Sequence, residues 1–111
     1  MSSDGQLPEI DVDALEGLLS DGCVLVDVRE DDEFVGGHIP GALHIPLGDV
    51  PDRFGEIPAE GTVYVVCALG GRSARAAEFL RANGIDAVNV AGGTQGWVDS
   101  GREVQRGSGT P

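Results

Sequence analysis

The stretch Val66-Cys-Ala-Leu-Gly-Gly-Arg-Ser-Ala-Arg-Ala-Ala77 holds a thiol, two glycines, an arginine and a hydroxyl between Cys67 and Ser73. Cys67 closes an apolar, β-branched run and the residues from Ser73 onward turn helical, so the thiol falls in a short strand-to-helix loop. In such a loop successive backbone N–H groups and the start of a helix converge, a geometry that binds anions. The same field favours thiolate over thiol, so the spacing predicts a lowered pKa for Cys67 and a nucleophilic sulfur near neutral pH. Gly70 and Gly71 can supply the positive φ that turns consecutive N–H groups inward. Arg72 adds a fixed charge and a planar donor fork at the mouth. A strand-end cysteine is ordinarily a small buried hydrophobe, and the Cys-x4-Arg-Ser spacing sets Cys67 apart. Cys23, at the head of another strand with no glycine loop or arginine beside it, reads as structural.

Few other residues compete. Asp27 and Arg29 end a strand on the carboxyl edge from which Cys67 should project, the edge where open α/β sheets place their sites. They read either as a brace for the loop or as an ordinary strand-end charge pair. His38 and His44 read as hydrogen-bonded structural residues, and their spacing with the carboxylates forms no metal set. Trp97 reads as core, and the acids Glu30 to Glu33 as a solvated helix start.

The elements that must position these residues alternate. Asp13 with Glu16 fits a helix N-cap, followed by Leu15, Leu18 and Leu19 on one face. Cys23–Val28 reads as a strand buried on both faces of a parallel sheet. Residues 31–37 suit a short helix with acids in front and glycines behind. Leu43–Ile45 is a short strand, and residues 47–54 a helix with Pro51 in its first turn. Thr62–Val66 is the clearest strand. Ser73–Asn83 is a helix with Ala76, Phe79 and Leu80 inward, Arg75, Glu78 and Arg81 outward at pairing distance, and Gly84 as its left-handed stop. Ala87–Val90 is a last strand, and Gly92–Trp97 leads into a terminal helical turn. Residues 1–6 and 104–111 read as disordered ends of one domain spanning 7–103.

At 111 residues the chain has room for one domain. Its charge is −12, from 19 acids against seven arginines and no lysine. Nucleic acid and anionic membrane are poor partners for it. Residues 1–60 carry 15 acids and two arginines, residues 61–111 four acids and five arginines, so anion chemistry belongs to the second half. No apolar run approaches the roughly 20 residues of a membrane span, and no basic-then-apolar leader opens the chain, so a cytoplasmic setting is expected.

Three blocks in order carry a family resemblance: Asp27-Val28-Arg29 with Glu33-Phe34 and Gly37-His38-Ile39-Pro40-Gly41-Ala42; the loop Cys67 to Ser73; and Gly92-Gly93-Thr94-Gln95-Gly96-Trp97. Together they resemble a single-domain rhodanese, of the rhodanese-homology sulfurtransferases. The resemblance implies an α/β fold with a five-stranded parallel sheet flanked by helices on both faces. It also implies a catalytic Cys67 that takes a sulfane sulfur from thiosulfate or a persulfide and passes it to cyanide or a thiol. Ala68, Leu69, Gly70, Gly71, Arg72 and Ser73 would form the persulfide-binding loop, Arg72 orienting the anionic donor and Ser73 capping the helix or donating into the loop. Asp27 and Arg29 would support it. No metal and no organic cofactor are implied. The expected partners are a small-molecule or protein sulfur donor and a thiol acceptor, with no nucleic acid and no membrane, for a monomer or weak homodimer. Where relatives often carry a basic residue after the cysteine, this chain has Ala68 and Leu69, which favours a persulfide donor over thiosulfate. Two other classes stand beside this one. A Cys-dependent phosphatase or arsenate reductase would use Cys-x5-Arg, one residue longer than the loop here; the other class is a non-enzymatic interaction or sulfur-carrier module, and an interaction module that had lost the chemistry would not need Cys67.

Overall fold

The computed structural model describes residues 7–58 and 60–107. Five strands form one sheet, β1 (Glu9–Ile10), β2 (Val24–Asp27), β3 (Leu43–His44), β4 (Val63–Val66) and β5 (Ala87–Val90), in the order β1-β5-β4-β2-β3. All neighbours are parallel. The helices are α1 (Val12–Ser20), α2 (Asp31–Gly36), α3 (Val50–Arg53), α4 (Gly71–Ala82) and α5 (Gly93–Asp99). No helix among the described residues is long and apolar enough to cross a membrane.

Alternation along β2 and β4 sends side chains into two cores. Val26, Val28, Val63, Val65 and Cys67 face Ala76, Ala77 and Leu80 of α4 and Val50 of α3. Leu25 and Val66 face the other way, onto Leu15 of α1 and Trp97 of α5. A strand buried on both faces cannot alternate polar with apolar, hence the continuous runs in the sequence. Period two also puts Asn89 on the α4 side with Ala87, among apolar neighbours.

Several expectations are corrected. β1 was not read from the sequence; at two residues it carries no periodicity, and it exists because Pro8 and Ile10 carbonyls accept from Asn89 and Ala91 N–H. The N-cap of α1 is Asp11, whose Oδ1 accepts from Ala14 N–H at 2.9 Å, while Asp13 is taken by Arg102 at 2.8 Å. Helix α4 begins at Gly71 rather than Ser73, and Arg81 pairs with Asp86 rather than with Glu78. Of the loop glycines only Gly70 has positive φ, +122°. Residues 104–107, expected within a disordered tail, are paired: Gln105 exchanges two 2.8 Å bonds with His38, and Gly107 N–H reaches Val35 O at 2.9 Å. The ends at 1–6 and 108–111 lie outside the described residues.

Candidate active site

Cys67 follows the last residue of β4, at the carboxyl edge of the sheet. Its Sγ accepts from Gly70 N–H at 3.1 Å and lies 3.3 Å from Ser73 Oγ. Burial pushes the thiol pKa up. The Ser73 hydroxyl and the N–H groups of Ser73, Gly70 and Leu69 outweigh that, and the pKa is lowered. Cys23 differs, since burial and then Asp21 raise its pKa. Its side chain packs against the α1 and α5 core, and both cysteines are free thiols.

Ser73 does not cap its helix; α4 is closed by Gly70 O accepting from Ala74 N–H at 3.1 Å. Its hydroxyl bridges Sγ and Asn89 Oδ1, 2.5 Å away. Asn89 Nδ2 in turn donates to Glu9 Oε2 at 2.8 Å and to Gly70 O at 3.2 Å, which fixes the amide with its oxygen toward Ser73. A serine has one proton to give. Beside a thiol it can accept from S–H and donate to Asn89; beside a thiolate it turns its proton to the sulfur. Asn89 was missed in the sequence, although a polar residue at an inward position of a doubly buried strand is itself a signal.

The loop is held from outside by α5. Thr94 N–H donates to Cys67 O at 2.8 Å and Gln95 N–H to Ala68 O at 3.0 Å. This approach needs Gly93, where a Cβ would lie 2.5 Å from Ala68 O and 2.6 Å from Cys67 O at a φ of +62°. Thr94 itself is buried, and its Oγ1 has no partner among the described residues. Leu69 stands out from the loop, 71% exposed.

Arg72 is not an open anion receptor. Its fork binds Glu33 through two bonds, Nη1 to Oε1 at 2.7 Å and Nη2 to Oε2 at 3.0 Å. The guanidinium holds the Glu33 carboxyl at about 2. Glu33 Oε1 also accepts from Glu30 N–H at 2.9 Å, tying the start of α2 to the same carboxylate. Asp27 and Arg29 form a buried bidentate pair, and Arg29 Nη2 donates to Gly37 O at 2.8 Å. Their side-chain hydrogen bonds run to each other and to the end of α2, and α2 in turn reaches the loop through Glu33 and Arg72. His38 and His44 stack on the two faces of Phe34, at 3.7 and 4.2 Å between centroids. His38 Nδ1 donates to Phe34 O and His44 Nε2 to Arg29 O, each at 2.8 Å, while His38 Nε2 is buried with no partner among the described residues.

The arrangement supplies a thiol whose pKa is lowered, donors placed to steady negative charge on it, and an apolar lip. Residues 11–100 match the family model described as a rhodanese-like domain. A sulfurtransferase of Allochromatium vinosum is 36% identical over 99 residues, covering 86% of this chain and 92% of that protein. YqhL of Bacillus subtilis is 47% identical over 74 residues, 66% of this chain, and the match spans 59% of its length. The crystal structure of a rhodanese-like domain protein from Staphylococcus aureus superposes with a TM-score of 0.81 at 41% identity, covering 90% of this chain and 98% of that one. Motifs in this order, on a sheet of this topology and over nearly the whole described chain, make it a member of the rhodanese-like domain family, in which sulfur transfer is the named chemistry of its sulfurtransferase relatives.

Proposed function

We propose that this domain is a sulfurtransferase working through a persulfide on Cys67. The observation that carries the reading is the sulfur itself, held between Gly70 N–H and the Ser73 hydroxyl with its pKa lowered. With thiosulfate, the Cys67 thiolate attacks the sulfane sulfur, the S–S bond of the donor breaks, and sulfite leaves with the electron pair. The charge then rests on the new terminal sulfur, where the loop N–H groups favour it. Main-chain donors and one serine do this work, so the cycle draws on no metal or organic cofactor.

The preferred donor in this reading is a persulfide on a small thiol or a protein. Ala68 and the exposed Leu69 give the mouth an apolar lip, and Arg72 has its fork engaged by Glu33. Within the loop itself a small dianion therefore finds no open guanidinium, on a chain whose net charge is −12. The relevant setting is the reducing cytoplasm, where Cys67 stays a thiol.

Mass spectrometry after incubation with a persulfide donor tests the reading. A gain of one sulfur, about 32 Da, is expected, abolished by Cys67→Ser and kept in Cys23→Ser. Absence of an adduct with every sulfane donor, or Cys67-dependent hydrolysis of aryl phosphates, would overturn it.

A further inference from the structure

Beside the loop lies a cavity of about 250 Å³ between α2 and α5, lined by Ala68, Arg29, Glu33, Thr94, Val98 and Arg106 among others. Its polar groups are not all satisfied by the protein. Arg29 is 6% exposed and spends Nε and Nη2 on Asp27 and Gly37 O, leaving Nη1 with no partner among the described residues. Thr94 is 4% exposed, and its Oγ1 also has none. A buried hydroxyl without a partner costs free energy that a ligand oxygen can recover. At the rim, Arg106 makes no ion pair among the described residues, while Glu33 is already neutralised by Arg72. Two donor sites and a cation unpaired among the described residues thus line one cavity with Ala68, the neighbour of Cys67.

We propose that this cavity seats the carboxylate of a small thiol that exchanges sulfur with Cys67. The inference rests on the persulfide reading and names its acceptor class. With the carboxylate held by Thr94 Oγ1, Arg29 and Arg106, the thiolate sulfur of the ligand attacks the terminal sulfur of the Cys67 persulfide. A new S–S bond forms on the ligand, the bond to Sγ breaks, and the electron pair returns to Cys67 as thiolate. The ligand thiol gives its proton to the terminal sulfur of the persulfide anion as the attacking thiolate forms, and that proton stays on the transferred sulfur, so atoms and charge balance without an added oxidant or reductant. A neutral or cationic thiol of the same length lacks the group that the cavity binds.

Two measurements on the full chain test this. In the Cys67→Ser protein, amide NMR titration with β-mercaptopropionate should give saturable shifts centred on Ala68, Gly37 and Thr94. β-Mercaptopropionamide and cysteamine should bind at least about tenfold more weakly, the worth of one charge-assisted hydrogen bond. In wild type loaded with sulfur, the carboxylate thiol should discharge the persulfide at correspondingly lower concentration. The preference over the amide should collapse toward unity in Thr94→Val and in Arg106→Gln. Equal titration by all three thiols, or a preference that survives both substitutions, overturns the proposal. If the titration saturates as expected but no persulfide ever forms on Cys67, the cavity stands as a carboxylate site and the sulfurtransferase reading falls. If persulfide forms and the three thiols discharge it alike, the reading stands and the acceptor class falls.

Discussion

The protonation of Cys67 is decided by a contest between burial, which favours the neutral thiol, and donors, which favour the anion. Ser73 leads the donors, so Ser73→Ala should shift the pH midpoint of Cys67 alkylation by iodoacetamide upward and slow alkylation at pH 7 about tenfold, as loss of a hydrogen bond to a charge implies. An unchanged midpoint would mean that the amides suffice alone. Cys67, its loop and Ser73 were legible because their spacing is local. Asn89, 16 residues beyond Ser73, and Glu33, 39 residues before Arg72, were not legible as partners, because contacts across the fold leave no short-range pattern. The role expected for Arg72 changes accordingly: it fastens α2 to the loop, and a substrate anion would have to displace Glu33 to reach its fork.

Among the elements, the first turn of α5 acts as a clasp on the cysteine loop. Its two N–H groups reach Cys67 O and Ala68 O only because Gly93 has no side chain. Gly93→Ala combines a left-handed conformation with a backbone collision, and should cost on the order of 2–4 kcal/mol in urea unfolding. Gly96→Ala, where a Cβ meets nothing closer than Val12 at 3.8 Å, should cost far less. Equal losses at the two positions would remove the clasp. Four strands and the longer helices were readable from hydrophobic runs, caps and glycine stops. What escaped were pieces too short for any period, β1 and the pairing of residues 104–107, which exist only because neighbouring chain offers them partners.

Over the whole molecule, five of the seven arginines are in ion pairs, while Arg75 and Arg106 have none among the described residues. The surplus of acids is therefore a surface property, felt by any anion that approaches a body measuring 40 × 28 × 24 Å. At an ionic strength of about 0.01 M the screening length, about 30 Å, is comparable to the protein itself; at about 0.15 M it is about 8 Å. On these grounds kcat/KM for thiosulfate should rise several-fold with added salt over that range, whereas a neutral persulfide donor should show little change. A fall with salt would locate a net positive field at the mouth and restore thiosulfate as the favoured donor. The charge division of the sequence was real, but the pairing of first-half acids with second-half arginines, Glu33 with Arg72 and Asp13 with Arg102, blurs it in space. The chain has a single tryptophan. Trp97 donates its indole N–H to Glu103 O at 2.7 Å and lies under Arg102, immediately before the residues that pair with His38 and wall the cavity. Its fluorescence is thus a built-in optical gauge of whether that wall is seated, readable in a stopped-flow trace without any label.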